Sequence, residues 1–250
     1  RGLVCNRAEK KLDELPFGSQ IDMDAPGYQW INQSLSPTVA SKYSGVIKVG
    51  NEQCKKPYIA SRLNISAMSY GALSQHAIRA LNRGASIGGF AHNTGEGGLS
   101  QYHLMEGGDI FWQIGTGYFG CRTKDGGFCA EKFKEKSRLD NVKMIEIKLS
   151  QGAKPAHGGI LPAPKVSKKI AQVRDVPAHQ DCISPPAHTA FSGPTGLLKY
   201  VKQLRELSGG KPIGFKMCLG IHADFMAICK AMIETKIYPD FITVDGAEGG

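Results

Sequence analysis

The chain has 250 residues, 41% of them hydrophobic and 31 of them glycine, which is enough for one large α/β domain or two smaller ones and excludes a disordered chain. No run reaches the ~18 apolar residues that a membrane-spanning helix requires, and the formal charge of +9 is spread over mixed blocks such as residues 131–143, without an RNP-like segment, finger spacing or basic arm, so nucleic acid is not an expected partner. Seven scattered cysteines (Cys5, Cys54, Cys121, Cys129, Cys182, Cys218, Cys229) form neither a disulfide framework nor a CxxC site, and point to a reducing cytoplasm, with a membrane anchor upstream of Arg1 left open.

Residues 1–57 are the least patterned. Leu12, Leu15 and Phe17 predict a short helix, and Tyr28, Trp30 and Ile31 sit in a stretch punctuated by proline and glycine. This part is expected to be an N-terminal extension packed on a main domain of residues 58–250.

From Tyr58 the pattern becomes regular. Residues 59–68 predict a strand, followed by a turn at Ser69, Tyr70 and Gly71. Ser74 is a candidate N-cap for a helix with Ala77, Ile78, Leu81 and Ala85 on one face. Residues 87–92 predict a second strand that delivers His92, Asn93, Thr94, Gly95 and Glu96 into a polar loop. Residues 110–114 predict a third strand, and 128–139 a charged surface helix.

Residues 142–149 alternate apolar and charged side chains, as a strand with one packed face does, and then open into a glycine-rich loop carrying Gln151, Lys154 and His157. Ser167 is a candidate cap of a short helix, and the DCISPPAH run of residues 181–188 is held extended by its prolines. Leu197, Leu198, Val201 and Leu204 form a helical stripe. Residues 213–218 predict a strand containing Lys216. Phe225, Ile228 and Met232 lie on the next helix, and residues 241–244 form a strand opening into Asp245 and Gly246.

Six candidate strands alternating with helices predict a parallel sheet, read as about three quarters of a (β/α)8 TIM barrel whose last two units lie beyond Gly250. The natural protein is therefore expected to be longer. The alternative is an open doubly wound sheet, which predicts a GxGxxG loop after an early strand, and none is present. In a barrel the chemistry sits at the carboxyl ends of the strands, which brings together Ser69, Tyr70, Asn93, Glu96, Thr116, Gln151, Lys154, Lys216 and Asp245.

Lys216 interrupts an apolar strand. It either points inward, where its ammonium stabilises negative charge developing on a ligand such as the N1/O2 edge of a reduced flavin, or snorkels outward. Gln151 is placed to hydrogen-bond the pyrimidine edge of such a ring. The histidines fall in separate loops with no zinc spacing, so no metal ligand is assigned. Cys182 reads as a small buried hydrophobe rather than a nucleophile.

Several segments together carry a family resemblance: NISAMSYGALS (64–74), AHNTGEGG (91–98), KLSQGAKPAHGGILP (148–162), ISPPAH (183–188), GFKMC (214–218) and ITVDGAEGG (242–250). The chain resembles the FMN-binding synthase domain of glutamate synthases, and more closely its stand-alone type.

The resemblance implies FMN across the mouth of the barrel, near Ala67, Met68, Ser69, Gln151 and Lys216, with Asp245, Gly246, Gly249 and Gly250 in a loop on the same rim. It places Lys154, Arg174 and Ser184 on the side of 2-oxoglutarate. The implied reaction is reductive amination of 2-oxoglutarate with ammonia to L-glutamate, with Lys216, Lys154 and Gln151 as the catalytic set.

It also implies a 3Fe-4S cluster, held by cysteines beyond residue 250, and an electron donor such as ferredoxin or an NAD(P)H-oxidising subunit. Ammonia is expected free or from a partner, because no glutaminase segment is part of this sequence. The segment 98–122, peculiar to the stand-alone group, and the AHGG of residues 156–159 leave two alternatives: an N-methylglutamate-type synthase or another flavin oxidoreductase. A noncatalytic scaffold is disfavoured, because interior charge and glycine weaken a barrel that needs only to pack.

Overall fold

The computed structural model describes residues 22–28, 35–36, 45–153 and 158–246. The chain divides into two compact units, Arg1–Tyr43 and Ser44–Gly250. In the first, Asp22 turns the chain by accepting the Asp24 amide on its carboxylate at 3.0 Å. The helix expected around Leu12, Leu15 and Phe17 and the stretch with Trp30 and Ile31 lie outside the described residues, as do Lys154, Gly249 and Gly250.

The second unit begins with β1 (Val46–Val49) and β2 (Tyr58–Ser61), an antiparallel pair. Residues 45–57, assigned from the sequence to the extension, thus share the compact unit of the main sheet. There follow α1 (Gln75–Gly88), β3 (Ala91–Asn93), α2 (Gln101–Leu104), β4 (Asp109–Ile114), α3 (Ala130–Ser137) and β5 (Val142–Lys148). Next come β6 (Ile160–Leu161), a 3-10 turn (Ala163–Lys165), α4 (Lys168–Arg174), β7 (Cys182–Ile183), α5 (Gly193–Leu207), β8 (Ile213–Cys218), α6 (His222–Thr235) and β9 (Ile242–Asp245).

The main sheet has five strands in the order β3-β4-β5-β8-β9, all parallel. Spatial order follows chain order without reversal, as in part of a β/α barrel, whereas a doubly wound sheet reverses at a switch point. A sixth, extended segment joins its edge. Ile65 bridges His92 in parallel, and the Met68 amide donates to the Asn93 carbonyl at 3.0 Å.

Two expected strands differ in extent. The run 59–68 is broken in two because Asn64 Nδ2 and the Leu63 amide both turn back onto Ser61, at 2.7 and 3.2 Å, so its first half pairs with β1 instead of the main sheet. The strand expected from residue 87 starts only at Ala91. Helix α1 runs through Gly88 and is stopped by Gly89, whose φ of 66° is the left-handed conformation open to glycine. The two predicted caps are in place, Ser74 accepting from the Ala77 amide and Ser167 from the Ile170 amide.

Strand parity assigns the layers. Outward-facing Ile110, Trp112, Ile114, Ile145, Ile147, Ile213 and Phe215 are buried under the helices together with Phe133, Tyr200 and Leu204. Trp112 stacks on Phe133 of α3 at 5.3 Å. On the inner face, Phe111, Met144 and Phe241 form an apolar floor plugged by Val49, Tyr58 and Ala60 of the β1-β2 hairpin. One step up each strand the inner face becomes polar, with Asn93, Gln113, Glu146 and Thr243. One step further stand Lys148, Lys216 and Asp245, at the carboxyl ends of their strands.

Candidate active site

A cavity of about 420 Å³ opens at this carboxyl end. Its lining includes Ala67, Met68, Ser69, Gln151, Arg174, Ser184, Lys216 and Asp245, which sequence reasoning had singled out. Gly246 is described but is not part of the lining, and Lys154 lies outside the described residues. The cavity also takes in Glu96, Gln113 and Lys148.

Lys216 points inward, because residues 214, 216 and 218 alternate to the inner face of β8. It is 8% exposed, with its ammonium 3.6 Å from Asp245 Oδ1 on the neighbouring strand. The second Asp245 oxygen accepts the Gly152 amide at 2.9 Å, which ties the start of the loop after β5 to the end of β9. Lys148 donates to Glu96 Oε1 at 2.9 Å and to Gln151 Oε1 at 2.6 Å.

Glu96 is aimed by the turn before it. Gly95, at φ 64°, donates its amide to Asn93 Oδ1 at 3.0 Å. The Glu96 carboxylate then occupies space left free by two glycines: a Cβ on Gly115 would stand 2.7 Å from Glu96 Cβ and Oε2, and one on Gly159 2.6 Å from Oε1.

Arg174, the last residue of α4, is 6% exposed. Its guanidinium lies 5.0 Å from the centre of the Phe119 ring, and Nη1 reaches only the Cys182 thiol at 3.8 Å. Its Nε has no hydrogen-bond partner, and no carboxylate pairs with it among the described residues. A buried permanent cation without a counterion is costly, so this wall of the cavity is complementary to an anion. Ser184 lines the same cavity, brought into place by the β6-β7 pair and its own amide bond to the Gly159 carbonyl at 2.9 Å.

Behind the site a closed polar chain holds the segment after β7. His188 Nε2 lies 2.8 Å from the Lys148 carbonyl, which only accepts, so Nε2 carries the proton. Nδ1 then accepts the Tyr118 hydroxyl at 3.1 Å, while the tyrosine oxygen accepts the Thr189 and Ala190 amides at 3.0 and 2.9 Å. Burial holds the His188 pKa below its ordinary value, in keeping with this neutral tautomer.

Sequence reasoning did not single out Gln113, Glu146, Lys148 or Tyr118. For Glu146 and Lys148 a signal existed: both have the parity of Met144 on β5, so an inward Met144 makes them interior as well. Among the described residues no group of three or more His, Cys, Asp or Glu could hold a metal ion, six cysteines are free thiols, and no helix is long and apolar enough to cross a membrane.

The family described as a conserved region in glutamate synthase matches residues 28–250. A glutamate synthase large subunit-like protein of Bacillus subtilis is 44% identical over 204 residues, covering 81% of this chain and 38% of the relative. An archaeal glutamate synthase [NADPH] of Archaeoglobus fulgidus is 33% identical over 82% of this chain and 37% of its own length. A large subunit-like protein of Rhizobium meliloti is 30% identical over 82% and 42%. The chain thus spans about two fifths of the length of these relatives.

Proposed function

The chain belongs to the glutamate synthase family, and from that premise we propose that it forms the flavin-binding part of a (β/α)8 synthase domain, in which 2-oxoglutarate and ammonia become L-glutamate. The observation that carries this reading is the unpaired, buried Arg174 in a cavity whose other walls present Lys148 and Lys216. Such a lining suits a dicarboxylate and an electron-rich ring together.

The residues present fit FMN. The volume of about 420 Å³ lies within the range of ~300–1,000 Å³ typical of cofactor and ligand sites. Ala67, Met68, Ser69 and Gln151 would hold the ring, and Asp245, Gly246, Gly249 and Gly250 would begin a loop beside it. When bound, FMN supplies a hydride donor. Lys216 would stabilise negative charge on the ring, while Arg174, Ser184 and Lys154 hold the carboxylates of the oxo acid.

In the balanced reaction, 2-oxoglutarate and ammonia lose water to give 2-iminoglutarate, which takes up a hydride and a proton. Glu96, anchored by Lys148 and clasped by Gly115 and Gly159, is a carboxylate acceptor for an incoming ammonium. Electrons would arrive through a 3Fe-4S cluster, held beyond residue 250, from ferredoxin or an NAD(P)H-oxidising partner.

The test is a single turnover of the protein with reduced FMN, 2-oxoglutarate and ammonium, followed by amino-acid analysis. Stoichiometric L-glutamate supports the proposal, and none contradicts it. Methylammonium in place of ammonium separates N-methylglutamate formation from glutamate formation.

A further inference from the structure

Beneath the cavity, Glu146 of β5 is 4% exposed and gathers donors from three other strands. Asn93 Nδ2 of β3 and Gln113 Nε2 of β4 both donate to its Oε1, at 2.9 and 2.7 Å, and the Thr243 hydroxyl of β9 donates to Oε2 at 2.6 Å. A carboxylate in this arrangement accepts only, so it dictates which end of each amide faces it. Asn93 is doubly fixed, because its Oδ1 accepts the Gly95 amide. Gln113 is fixed at Nε2, which leaves its carbonyl oxygen as the free end of a side chain that lines the cavity.

Gln151, the amide expected from sequence at a pyrimidine edge, has the opposite polarity. Its Oε1 accepts Lys148 Nζ, so its free end is the NH2 group. The cavity lining therefore offers a donor at Lys216, an acceptor at Gln113 and a donor at Gln151. The pyrimidine edge of an oxidised flavin needs an acceptor for N3–H and donors for O2 and O4, the same types of group as that set.

We propose that Glu146 is a positioning residue that turns the Gln113 amide, so that Gln113 Oε1 accepts the imide N3–H of the flavin and selects an unsubstituted pyrimidine edge. The inference rests on the reading of the site as an FMN site. It assigns to Gln113 the acceptor role at the edge and leaves Gln151 as a donor.

The experiment is a fluorescence-quenching titration of the flavin-free full chain with FMN and with N3-methyl-FMN, in the wild type and in Glu146→Gln, Glu146→Met and Gln113→Met. The wild type is expected to prefer FMN by about tenfold or more, equivalent to ~1.4 kcal/mol. Glu146→Gln keeps the preference, because its amide oxygen still accepts both NH2 groups and the Thr243 hydroxyl can turn to accept its NH2. Glu146→Met and Gln113→Met reduce the preference to within about threefold.

Equal binding of both flavins by the wild type overturns the inference, as does an undiminished preference in Gln113→Met. If Glu146→Gln loses as much as Glu146→Met, the charge and not the acceptor is what matters, and the inference is again overturned. Should Glu146→Met fail to fold, Gln113→Met decides. A wild type that binds neither flavin refutes the FMN reading itself.

Discussion

Lys148 and Lys216 stand directly opposite each other in the parallel register of β5 and β8, so two ammonium groups rise from one face of the sheet into the same cavity. Each has a carboxylate of its own, Glu96 at 2.9 Å from Lys148 and Asp245 at 3.6 Å from Lys216. The first contact is a hydrogen-bonded pair and the second is too long to be one, which leaves Lys216 with more of its hydrogen-bonding capacity for a ligand.

Replacing Lys216 by Met should therefore act on flavin more than on folding. FMN affinity is expected to fall by ten- to hundredfold, the ~1.5–3 kcal/mol of a charge-assisted hydrogen bond, or reduction of the bound flavin to slow by a similar factor. The fold should persist, with the loss in urea midpoint limited by the Gly152 amide that still satisfies Asp245. Unchanged FMN affinity and reduction rate would remove the role assigned to this lysine.

In the proposed site Arg174 serves the oxo acid and not the flavin. Arg174→Gln should raise the KM for 2-oxoglutarate by about ten- to hundredfold while FMN titrations stay within threefold of the wild type. Arg174→Lys should recover only part of the loss, because an ammonium does not reproduce the planar fork resting on Phe119. A KM unaffected by either change would mean that the anion binds elsewhere.

Gly115→Ala tests the placement of Glu96. The added methyl would lie 2.7 Å from Glu96 Cβ and Oε2, and the carboxylate has to leave Lys148 to make room. The KM for ammonium should rise and FMN affinity change by less than threefold. Wild-type kinetics with both substrates would show that Glu96 has no part in turnover.

Acid sensitivity has an identifiable source in His92 and His103, whose rings pack at 5.3 Å between β3 and α2. Burial lowers each to about 4, and neither ring nitrogen of His92 has a hydrogen-bond partner. Between pH 6.5 and 4 the unfolded chain binds protons that the folded chain does not. Stability is thus lost as pH falls through that window, by ~1.4 kcal/mol per pH unit for each proton involved. His92→Leu should flatten this limb: the drop in urea midpoint from pH 6.5 to 4.5 should be clearly smaller than in the wild type. An equal drop in both proteins would acquit His92.

The sequence-level reading reached the elements whose signals are local. Ser74 and Ser167 cap the helices they precede, and Gly95 and Gly159 line one cavity, whereas the alternation of residues 142–149, read as a strand with one packed face, belongs to a central strand buried on both faces. It missed the stop of β2 at Ser61, because the Asn64 and Leu63 bonds that end the strand override an apolar run. It also missed the layer under the cavity. Glu146 meets partners 53, 33 and 97 residues away, and only strand order and register bring them together. Spacing along the chain carries no trace of such a contact, although the polar parity of β5 announces that something interior has to satisfy Glu146.

Whether this chain holds FMN is read directly from the visible absorption spectrum of the protein purified without added flavin, with chromatography of whatever acid releases. Flavin bands and free FMN in the acid extract are expected, with a broad additional shoulder where an iron-sulfur cluster is retained. A colourless protein that also fails to take up added FMN would contradict the FMN reading.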